Sequence, residues 1–327
     1  MSNLKKEPIN YLLIPFFLSF QAICLYKHLK IKKYDLIHAH WLIPQGLICA
    51  LVSTLSKKNT PPILCTMHGS DLVSLQNKFL LSLKAWALKK ITRITVVSRS
   101  LIPYLEKLGY TNKDIDIRSM GVDLNNTFKN TLEKKNNIKQ LIYVGRLVEI
   151  KGVNILIQAI YLLIKEFPDI KLQIIGDGPH RHQLESLTTS LGLDKNINFL
   201  GVIPNIELPA FYSSAGIAIL PSIVQEGFGL VMVEAMGCEC VPIVSDSESS
   251  REIITNNVNG LLFEMGNHED LAERIRELLS DTEKYRHISQ NARASVLDKY
   301  DWSNVVIKFN QIINSVIDRQ KTDNLPQ

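Results

Sequence analysis

The chain has 327 residues, of which 46% are hydrophobic and 21% are charged. This length and composition predict about two folded domains of ~150 residues each, and they exclude a largely disordered protein. The five cysteines show no metal-ligand spacing, so we expect them to be reduced and the protein to be cytoplasmic.

Charge is distributed unevenly along the chain. Residues 1–132 carry 18 basic against 7 acidic side chains, whereas residues 133–327 carry 19 against 25. A basic half can bind nucleic acid, anionic lipid or an anionic substrate. Because no nucleic-acid-binding module is recognisable and the basic residues lack interleaved aromatics, we expect an anionic membrane surface and no nucleic acid.

The first predicted element is an apolar run over residues 11–26. It is interrupted by Pro15 and Gln21, and its sixteen residues fall short of the ~20 needed to span a bilayer. No small-residue cleavage site follows it, so we predict no signal peptide. Two interpretations stay open, a core helix with a solvated basic end or a helix that lies on anionic lipid. The basic end consists of Lys27, Lys30, Lys32 and Lys33.

Four strand-like runs follow, separated by helical stretches, which is the pattern of a parallel sheet with crossover helices. The segment His38-Ala39-His40-Trp41 ends the first strand, and His68-Gly69-Ser70-Asp71 ends the second. Open α/β sheets bind their ligands at such strand ends. The four predicted strands are 35–40, 62–67, 93–98 and 116–120.

The second half predicts six more strands, each followed by a loop and a helical pattern. Gly145-Arg146-Leu147 and Lys151-Gly152 lie between the first of these strands and its helix. Both segments therefore offer a cation beside a strand end. The six strands are 141–144, 170–175, 197–200, 217–220, 241–244 and 260–263.

Two carboxylates stand eight positions apart in the stretch from Glu226 to Glu234, with Gly227 and Gly229 between them. On a single helix their side chains would point about 80° apart. A better arrangement places Glu226 in a loop and Glu234 in a helix that begins at Leu230. Strand, glycine turn and helix then form a layout that binds phosphate through backbone N–H groups and the helix N-terminus.

These motifs together resemble glycosyltransferase family 4. The resemblance implies an α/β protein with the GT-B fold, in which two Rossmann-like domains face a cleft that holds the nucleotide-sugar. The strands and glycine-rich loop that open the first domain of that family have no counterpart here, so we expect this domain to lack its initial strands. We predict an incomplete first domain over residues 1–132, a nucleotide-sugar-binding domain over 133–300 and a terminal helix over 301–327 that crosses back to the first domain.

The resemblance also implies a role for each motif. Arg146 and Lys151 would bind the donor diphosphate together with backbone N–H groups of Gly229 and Leu230. Glu226 and His68 would be catalytic, and Glu234 would hold the ribose. Two smaller roles complete the set: the backbone near Val202 would read the base, and Phe228 and Gly229 would join Glu226 at the donor sugar. No metal and no other cofactor is expected.

The implied activity is the transfer of a sugar, with retention of configuration, from a UDP- or GDP-sugar donor to a glycan or lipid-linked acceptor. We expect a role in cell-surface polysaccharide or lipopolysaccharide synthesis, at the inner face of the cytoplasmic membrane. Two alternatives stay open: a shortened, inactive chain that binds only nucleotide, and an epimerase or hydrolase of the same fold.

The chain departs from the family pattern after Glu234. Glu248 and Ser249 stand where family members carry two glycines. Glycines there would let backbone approach a ligand without a side chain in the way. We predict a structural role for Glu252 at the start of a helix.

Overall fold

The computed structural model describes residues 10–56, 60–111, 115–131 and 137–323. It consists of two compact units. The first comprises residues 1–119 and 306–327, and the second comprises residues 120–305.

The first unit contains a four-stranded parallel sheet whose strands lie side by side in chain order. All five residues of the second strand are buried, as expected for a strand that is covered on both faces. The predicted parallel sheet is confirmed, with strands β1 (Ile37–His40), β2 (Ile63–Met67), β3 (Arg93–Val96) and β4 (Ile115–Ile117).

Helices connect these strands. A π-helical turn at Leu42–Gly46 follows β1, and a 3-10 turn at Arg99–Leu101 follows β3. Asn77 starts the longest connecting helix by accepting a hydrogen bond from the Leu80 N–H at 2.8 Å, which satisfies one free donor of the first turn. The helices are α1 (Asn10–Ile31), α2 (Leu47–Ser56), α3 (Ser70–Val73), α4 (Lys78–Leu88) and α5 (Ile102–Lys107).

Helix α1 corrects a prediction. It is 22 residues long, and its stretch Leu12–Ile31 is long and apolar enough to cross a membrane by length and composition. The prediction of a segment too short to do so was wrong, because the helix continues beyond Tyr26 with only two lysines. This stretch is not buried, which disagrees with the core-helix interpretation. Its most exposed apolar side chains are Leu12, Leu13, Phe16, Phe17, Phe20, Ile23 and Ile31.

The second unit contains a six-stranded parallel sheet in the order β10-β9-β8-β5-β6-β7. The chain moves outward from β5 to β6 and β7, then returns to the other side of β5 to form β8. The order therefore reverses between β5 and β8. The strands are β5 (Asn137–Val144), β6 (Lys171–Ile175), β7 (Ile197–Gly201), β8 (Ala215–Leu220), β9 (Val241–Ser245) and β10 (Leu261–Phe263), which confirms all six predicted strands.

The core of this unit lies between the sheet and its helices. Helix α6 buries seven apolar side chains, among them Leu156, Ile160 and Leu163. Each such side chain contributes about 1.5–3 kcal/mol when fully buried. The α-helices of the second unit are α6 (Val153–Leu163), α7 (Arg181–Ser190), α8 (Leu208–Ser214), α9 (Leu230–Gly237), α10 (Glu248–Arg251), α11 (His268–Ser280) and α12 (Thr282–Tyr300).

The last helix, α13, covers Trp302–Asp323. Its residues up to Val305 belong to the second unit, and its residues from Val306 belong to the first. Within the first unit, Ile312 and Val316 pack against Leu64 of β2. The C-terminal part of the chain is thus part of the core of the first unit.

Candidate functional site

The predicted donor-site residues of the second unit follow the strands at which the sheet order reverses. Arg146 follows β5, and Glu226 lies in the loop after β8. In open parallel sheets, the carboxyl ends of the two strands at such a reversal form the crevice that binds ligands. The fold thus places both segments at one binding position.

Lys151 and Glu226 are in direct contact. The Lys151 Nζ lies 2.6 Å from the Glu226 Oε1, and both side chains are partly exposed. The Ser222 hydroxyl also donates to this oxygen. Since an ammonium has three donors, Lys151 can contact Glu226 and an anionic ligand simultaneously.

The backbone holds these two loops together. The Ile223 N–H donates to the Ile150 carbonyl at 3.0 Å. Gly152 lies beside this bond with a φ of 62°, and a Cβ atom there would come within 2.0 Å of the Pro221 carbonyl oxygen. A glycine at position 152 is therefore required for the loop contact that places Lys151 beside Glu226.

Arg146 is exposed at the end of β5. Its backbone carbonyl accepts a hydrogen bond from the Tyr143 hydroxyl at 3.0 Å, which fixes the turn at Gly145. Among the residues that the structure describes, no acidic side chain forms an ion pair with Arg146. Its guanidinium group can therefore bind an external anion.

Helix α9 begins where the sequence predicted. Gly229 has a φ of 83° and directly precedes Leu230, the first helical residue. The Met232 N–H donates to the Gly229 carbonyl at 3.0 Å. The N–H groups of Gly229 and Leu230 precede it at the helix end and can bind an anion. Phe228 is buried and packs edge-on against Tyr300, with ring centroids 5.3 Å apart.

Glu234 lies in the second turn of α9 and is only 8% exposed. Its carboxylate accepts a hydrogen bond from the Tyr212 hydroxyl at 3.3 Å and another from the Asn205 side chain. Burial raises the pKa of Glu234 above its usual value, and the two hydrogen bonds oppose this shift. Val202, the predicted base-binding residue, follows β7 and is 76% exposed.

A small pocket beside Glu226 is lined by hydroxyl groups. Its lining includes Ser222, Glu226, Phe228, Gly229, Ser245, Ser247, Ser249 and Ser250. Ser247, Ser249 and Ser250 belong to the segment that carries Glu248 and Ser249 in place of the two glycines, whereas Ser222 follows β8 and Ser245 ends β9. The pocket therefore offers neutral hydrogen-bonding groups next to the predicted sugar-binding carboxylate.

The same segment corrects one prediction. Ser247 is the N-cap of α10, and its hydroxyl and that of Ser250 form a reciprocal capping box. Glu248 is the first residue of this helix, whereas Glu252 is at its C-terminal end. The prediction that Glu252 starts a helix was wrong, because Ser247 caps a helix that begins at Glu248, four residues earlier.

In the first unit, two loops bring a pair of histidines together. The His40 Nδ1 lies 3.1 Å from the His68 Nε2, and the Trp41 ring packs against His68 with centroids 5.2 Å apart. Burial lowers the pKa of His68, which favours the neutral form of this ring.

Asp71 connects the two loops. Its buried carboxylate accepts hydrogen bonds from the backbone N–H groups of Leu42 at 2.8 Å, His68 at 3.2 Å and Gly69 at 3.0 Å. Lys84 is fully buried nearby and donates to two backbone carbonyls at the end of α3. Sequence reasoning missed the roles of Asp71 and Lys84; the only signal was the position of Asp71 three residues after His68.

No group of three or more His, Cys, Asp or Glu side chains suited to a metal ion is present within the described ranges. That the site needs no metal stays a prediction.

Comparison with known proteins identifies both halves of the chain. Residues 125–295 match the family "Glycosyl transferases group 1", and residues 4–126 match "Glycosyltransferase Family 4". N-acetyl-alpha-D-glucosaminyl L-malate synthase of Bacillus anthracis is 30% identical over 88% of this chain and 76% of that protein. Phosphatidyl-myo-inositol mannosyltransferase of Mycobacterium leprae is 30% identical over 78% of this chain and 67% of that protein.

A solved structure agrees with this assignment at the level of the fold. The Anabaena protein HepE, crystallised with UDP, has a TM-score of 0.79 and 21% identity, with 91% of this chain and 82% of that chain covered. The fold and these relatives define a glycosyltransferase of the GT-B type that uses a nucleotide-sugar donor. The chain belongs to glycosyltransferase family 4.

Proposed function

We propose that the protein transfers a sugar from UDP- or GDP-sugar to a glycan or lipid-linked acceptor with retention of configuration, in the synthesis of a cell-surface polysaccharide or lipopolysaccharide. The observation that carries this proposal is the contact between Lys151 and Glu226 at the carboxyl ends of β5 and β8. A cation for the diphosphate and a carboxylate for the sugar then lie side by side.

Electrostatic stabilisation of the leaving group is the main step in this mechanism. Arg146 and Lys151 neutralise the diphosphate as the glycosidic bond breaks, and each charge-assisted contact contributes about 1.5–3 kcal/mol. The N–H groups at Gly229 and Leu230 add the helix end, which contributes about 0.3–2 kcal/mol. The two side chains therefore dominate diphosphate binding.

The carboxylates act on the sugar parts of the donor. Glu226 binds the sugar hydroxyls and stabilises positive charge at the anomeric carbon, while Glu234 holds the ribose. Among the residues that the structure describes, no second carboxylate is assigned as a covalent nucleophile, and in this mechanism the acceptor attacks from the leaving-group face. The role of His68 at the reaction centre rests on the family resemblance and stays a prediction.

Calorimetric binding of UDP and GDP tests the donor site. One nucleotide should bind the native protein, and Lys151→Ala and Glu234→Ala should each weaken it by about tenfold or more. Lys139→Ala is the matched control, because Lys139 also forms a lysine–carboxylate pair, with Asp169 at 2.7 Å, on the first strand of the same sheet. Failure of a folded sample to bind either nucleotide would contradict the proposal.

Product analysis separates the remaining alternatives. Sugar transfer that requires an added acceptor supports a transferase, and the anomeric configuration of the product by NMR tests retention. Nucleotide binding without turnover would indicate an inactive chain. Sugar isomer or free sugar released without acceptor would indicate an epimerase or hydrolase.

We also propose that the protein lies on the inner face of the cytoplasmic membrane through α1. Phe16, Phe17 and Phe20 are 56–74% exposed on this helix, and exposed lysines follow at its C-terminal end. Aromatic side chains on one surface and basic residues beside them are typical of helices at a lipid interface. Each basic residue near an anionic surface contributes about 1 kcal/mol.

Co-sedimentation with vesicles tests this location. The protein should bind phosphatidylcholine vesicles that contain phosphatidylglycerol more than vesicles of phosphatidylcholine alone, and Phe16→Ser with Phe20→Ser should abolish binding. Phe79→Ser is the control, because Phe79 is 71% exposed in the same unit but lies on α4. Resistance to extraction by alkaline carbonate would contradict a peripheral location.

A further inference from the structure

The hydroxyl of Tyr212 is in contact with the carboxylate of Glu234, although none of the sequence motifs includes this tyrosine. The Tyr212 oxygen lies 3.3 Å from the Glu234 Oε2. Tyr212 is fully buried in α8, and its ring packs against that of Phe128 with centroids 6.3 Å apart. The hydroxyl is therefore held in one place by the core of the second unit.

The direction of this hydrogen bond follows from the chemistry of the two groups. Burial raises the pKa of the Tyr212 phenol well above its usual value, so the phenol keeps its proton. An ionised carboxylate can only accept hydrogen bonds. Tyr212 therefore donates to Glu234, and one carboxylate oxygen is engaged from the interior of the protein.

Neutral groups alone hold this carboxylate. Its described hydrogen-bond donors are Tyr212 and Asn205, and no cation is among the groups that affect its pKa. Asn205 is exposed on the loop after β7, whereas Tyr212 is fixed in the core. The orientation of the Glu234 side chain thus depends chiefly on the tyrosine hydroxyl.

We propose that Tyr212 is a positioning residue for the nucleotide: it holds Glu234 so that the remaining carboxylate oxygen accepts hydrogen bonds from the ribose hydroxyls. This inference rests on the proposed function, in which Glu234 binds the ribose. A carboxylate that is already oriented loses less rotamer freedom on binding. Removal of the Tyr212 hydroxyl should therefore weaken nucleotide binding, and the loss should come only from the contact between Glu234 and the ribose.

A comparison of two ligands on two proteins tests this. UDP and GDP are first titrated into the native protein, and the one that binds is compared with its 2′,3′-dideoxy form on native protein and on Tyr212→Phe. Tyr212→Phe should weaken the ordinary nucleotide about fivefold to tenfold. It should change the affinity of the dideoxy nucleotide by less than about twofold, because the partner of Glu234 is then absent.

Tyr285→Phe is the matched control, because it removes a second buried phenol of the same unit, one that is hydrogen-bonded to Ser289. It should leave both affinities unchanged. In transfer assays, Tyr212→Phe should raise the KM for the donor and leave kcat nearly unchanged. Asn205→Ala provides a second variant at an exposed position, and it should show a smaller loss with the same dependence on the ribose hydroxyls.

Each of the other possible results would overturn either this inference or the proposed function. Equal weakening of both nucleotides by Tyr212→Phe would show a general structural role and overturn the inference, as would unchanged affinity for the ordinary nucleotide. A native protein that binds the ordinary and dideoxy nucleotides equally would overturn the ribose role of Glu234 and this inference with it. A folded native protein that binds neither UDP nor GDP would overturn the proposed function itself.

Discussion

The Lys151 ammonium lies 2.6 Å from the Glu226 carboxylate, although the two residues are 75 positions apart in the sequence. The pair links the cation expected at the diphosphate with the carboxylate expected at the sugar. The charge of Lys151 is therefore shared between Glu226 and any anion bound beside it. A change at one residue should affect the chemistry of the other.

This sharing gives a prediction for Glu226→Gln. The neutral amide no longer competes for Lys151, so donor affinity should stay the same or rise. Transfer should nevertheless fall by about 10²–10³ in kcat, because a charged group aimed at the developing positive charge is lost. Calorimetry and steady-state kinetics measure the two effects separately.

Glu185→Gln is the control for that prediction. Glu185 forms a carboxylate–arginine pair with Arg181 at 2.8 Å, on a helix of the same unit. Its substitution should change neither donor affinity nor kcat. A Glu226→Gln protein with weakened donor binding and intact turnover would contradict the assigned roles.

The pKa of Glu234 predicts how donor binding depends on pH. Burial raises this pKa above its usual value, so the carboxylate becomes neutral at a higher pH than an exposed glutamate does. An ionised carboxylate accepts stronger hydrogen bonds from ribose hydroxyls than a neutral acid does. Affinity for the nucleotide-sugar should therefore fall as the pH is lowered from about 7.5 to about 5.

Calorimetry across this range checks the prediction, with a nucleotide-sugar as the ligand because its diphosphate stays fully ionised. Glu234→Gln should bind more weakly at neutral pH but show a flat profile. An equally steep profile in Glu234→Gln would assign the titration to another group.

Strand positions and the donor-site segments were predictable, because each depends on a local pattern. Short apolar runs predicted all six strands of the second unit, and Gly229 marked the start of α9. The contacts between Tyr212 and Glu234 and between Asp71 and Leu42 were not predictable. These contacts depend on how separate helices, strands and loops pack together. The hydrophobic periodicity of the sequence predicts the individual elements but not their packing.

The length and exposure of helix α1 also could not be predicted from the sequence pattern. The apolar pattern predicted a helix in this segment, but the pattern weakens after Tyr26, where lysines begin. The backbone continues as a helix to Ile31, because lysine and leucine both favour helix. Its exposure could not be inferred, since a buried helix and a lipid-facing helix have similar compositions.

His38 predicts a loss of stability in mild acid. Burial is the main cause that lowers the pKa of His38 from 6.5 to about 4. The neighbouring charges of His40 and His68 also contribute to this shift. Between these two values the unfolded chain binds a proton that the folded chain does not. The free energy of unfolding should therefore fall as the pH drops from 6.5 towards 4.

Thermal unfolding at several pH values measures this. In His38→Gln, which cannot titrate, Tm should fall less between about pH 6.5 and about pH 4.5 than in the native protein. His28→Gln is the control, because His28 is exposed in the same unit. An identical acid dependence in His38→Gln and native protein would contradict the prediction.

Gly152 and Gly266 have similar backbone angles but different surroundings. Alanine substitutions at the two positions therefore distinguish the cost of backbone strain from the cost of a steric clash. Gly152 has a φ of 62° and Gly266 has a φ of 85°, so an alanine at either position costs about 1–2 kcal/mol for the left-handed conformation. The space around them differs. A Cβ at Gly152 would come within 2.0 Å of the Pro221 carbonyl oxygen, whereas a Cβ at Gly266 would meet no atom within 4 Å.

Gly152→Ala should therefore force apart the loops that carry Lys151 and Glu226. We expect it to lower the free energy of unfolding by about 3 kcal/mol or more and to weaken donor binding by more than tenfold, since the Ile223–Ile150 backbone bond lies at the same place. Gly266→Ala should lower Tm by only about 2–8 °C and leave donor affinity unchanged. Denaturant unfolding and nucleotide calorimetry on both variants give the result, and equal effects of the two substitutions would show that the loop contact does not position Lys151.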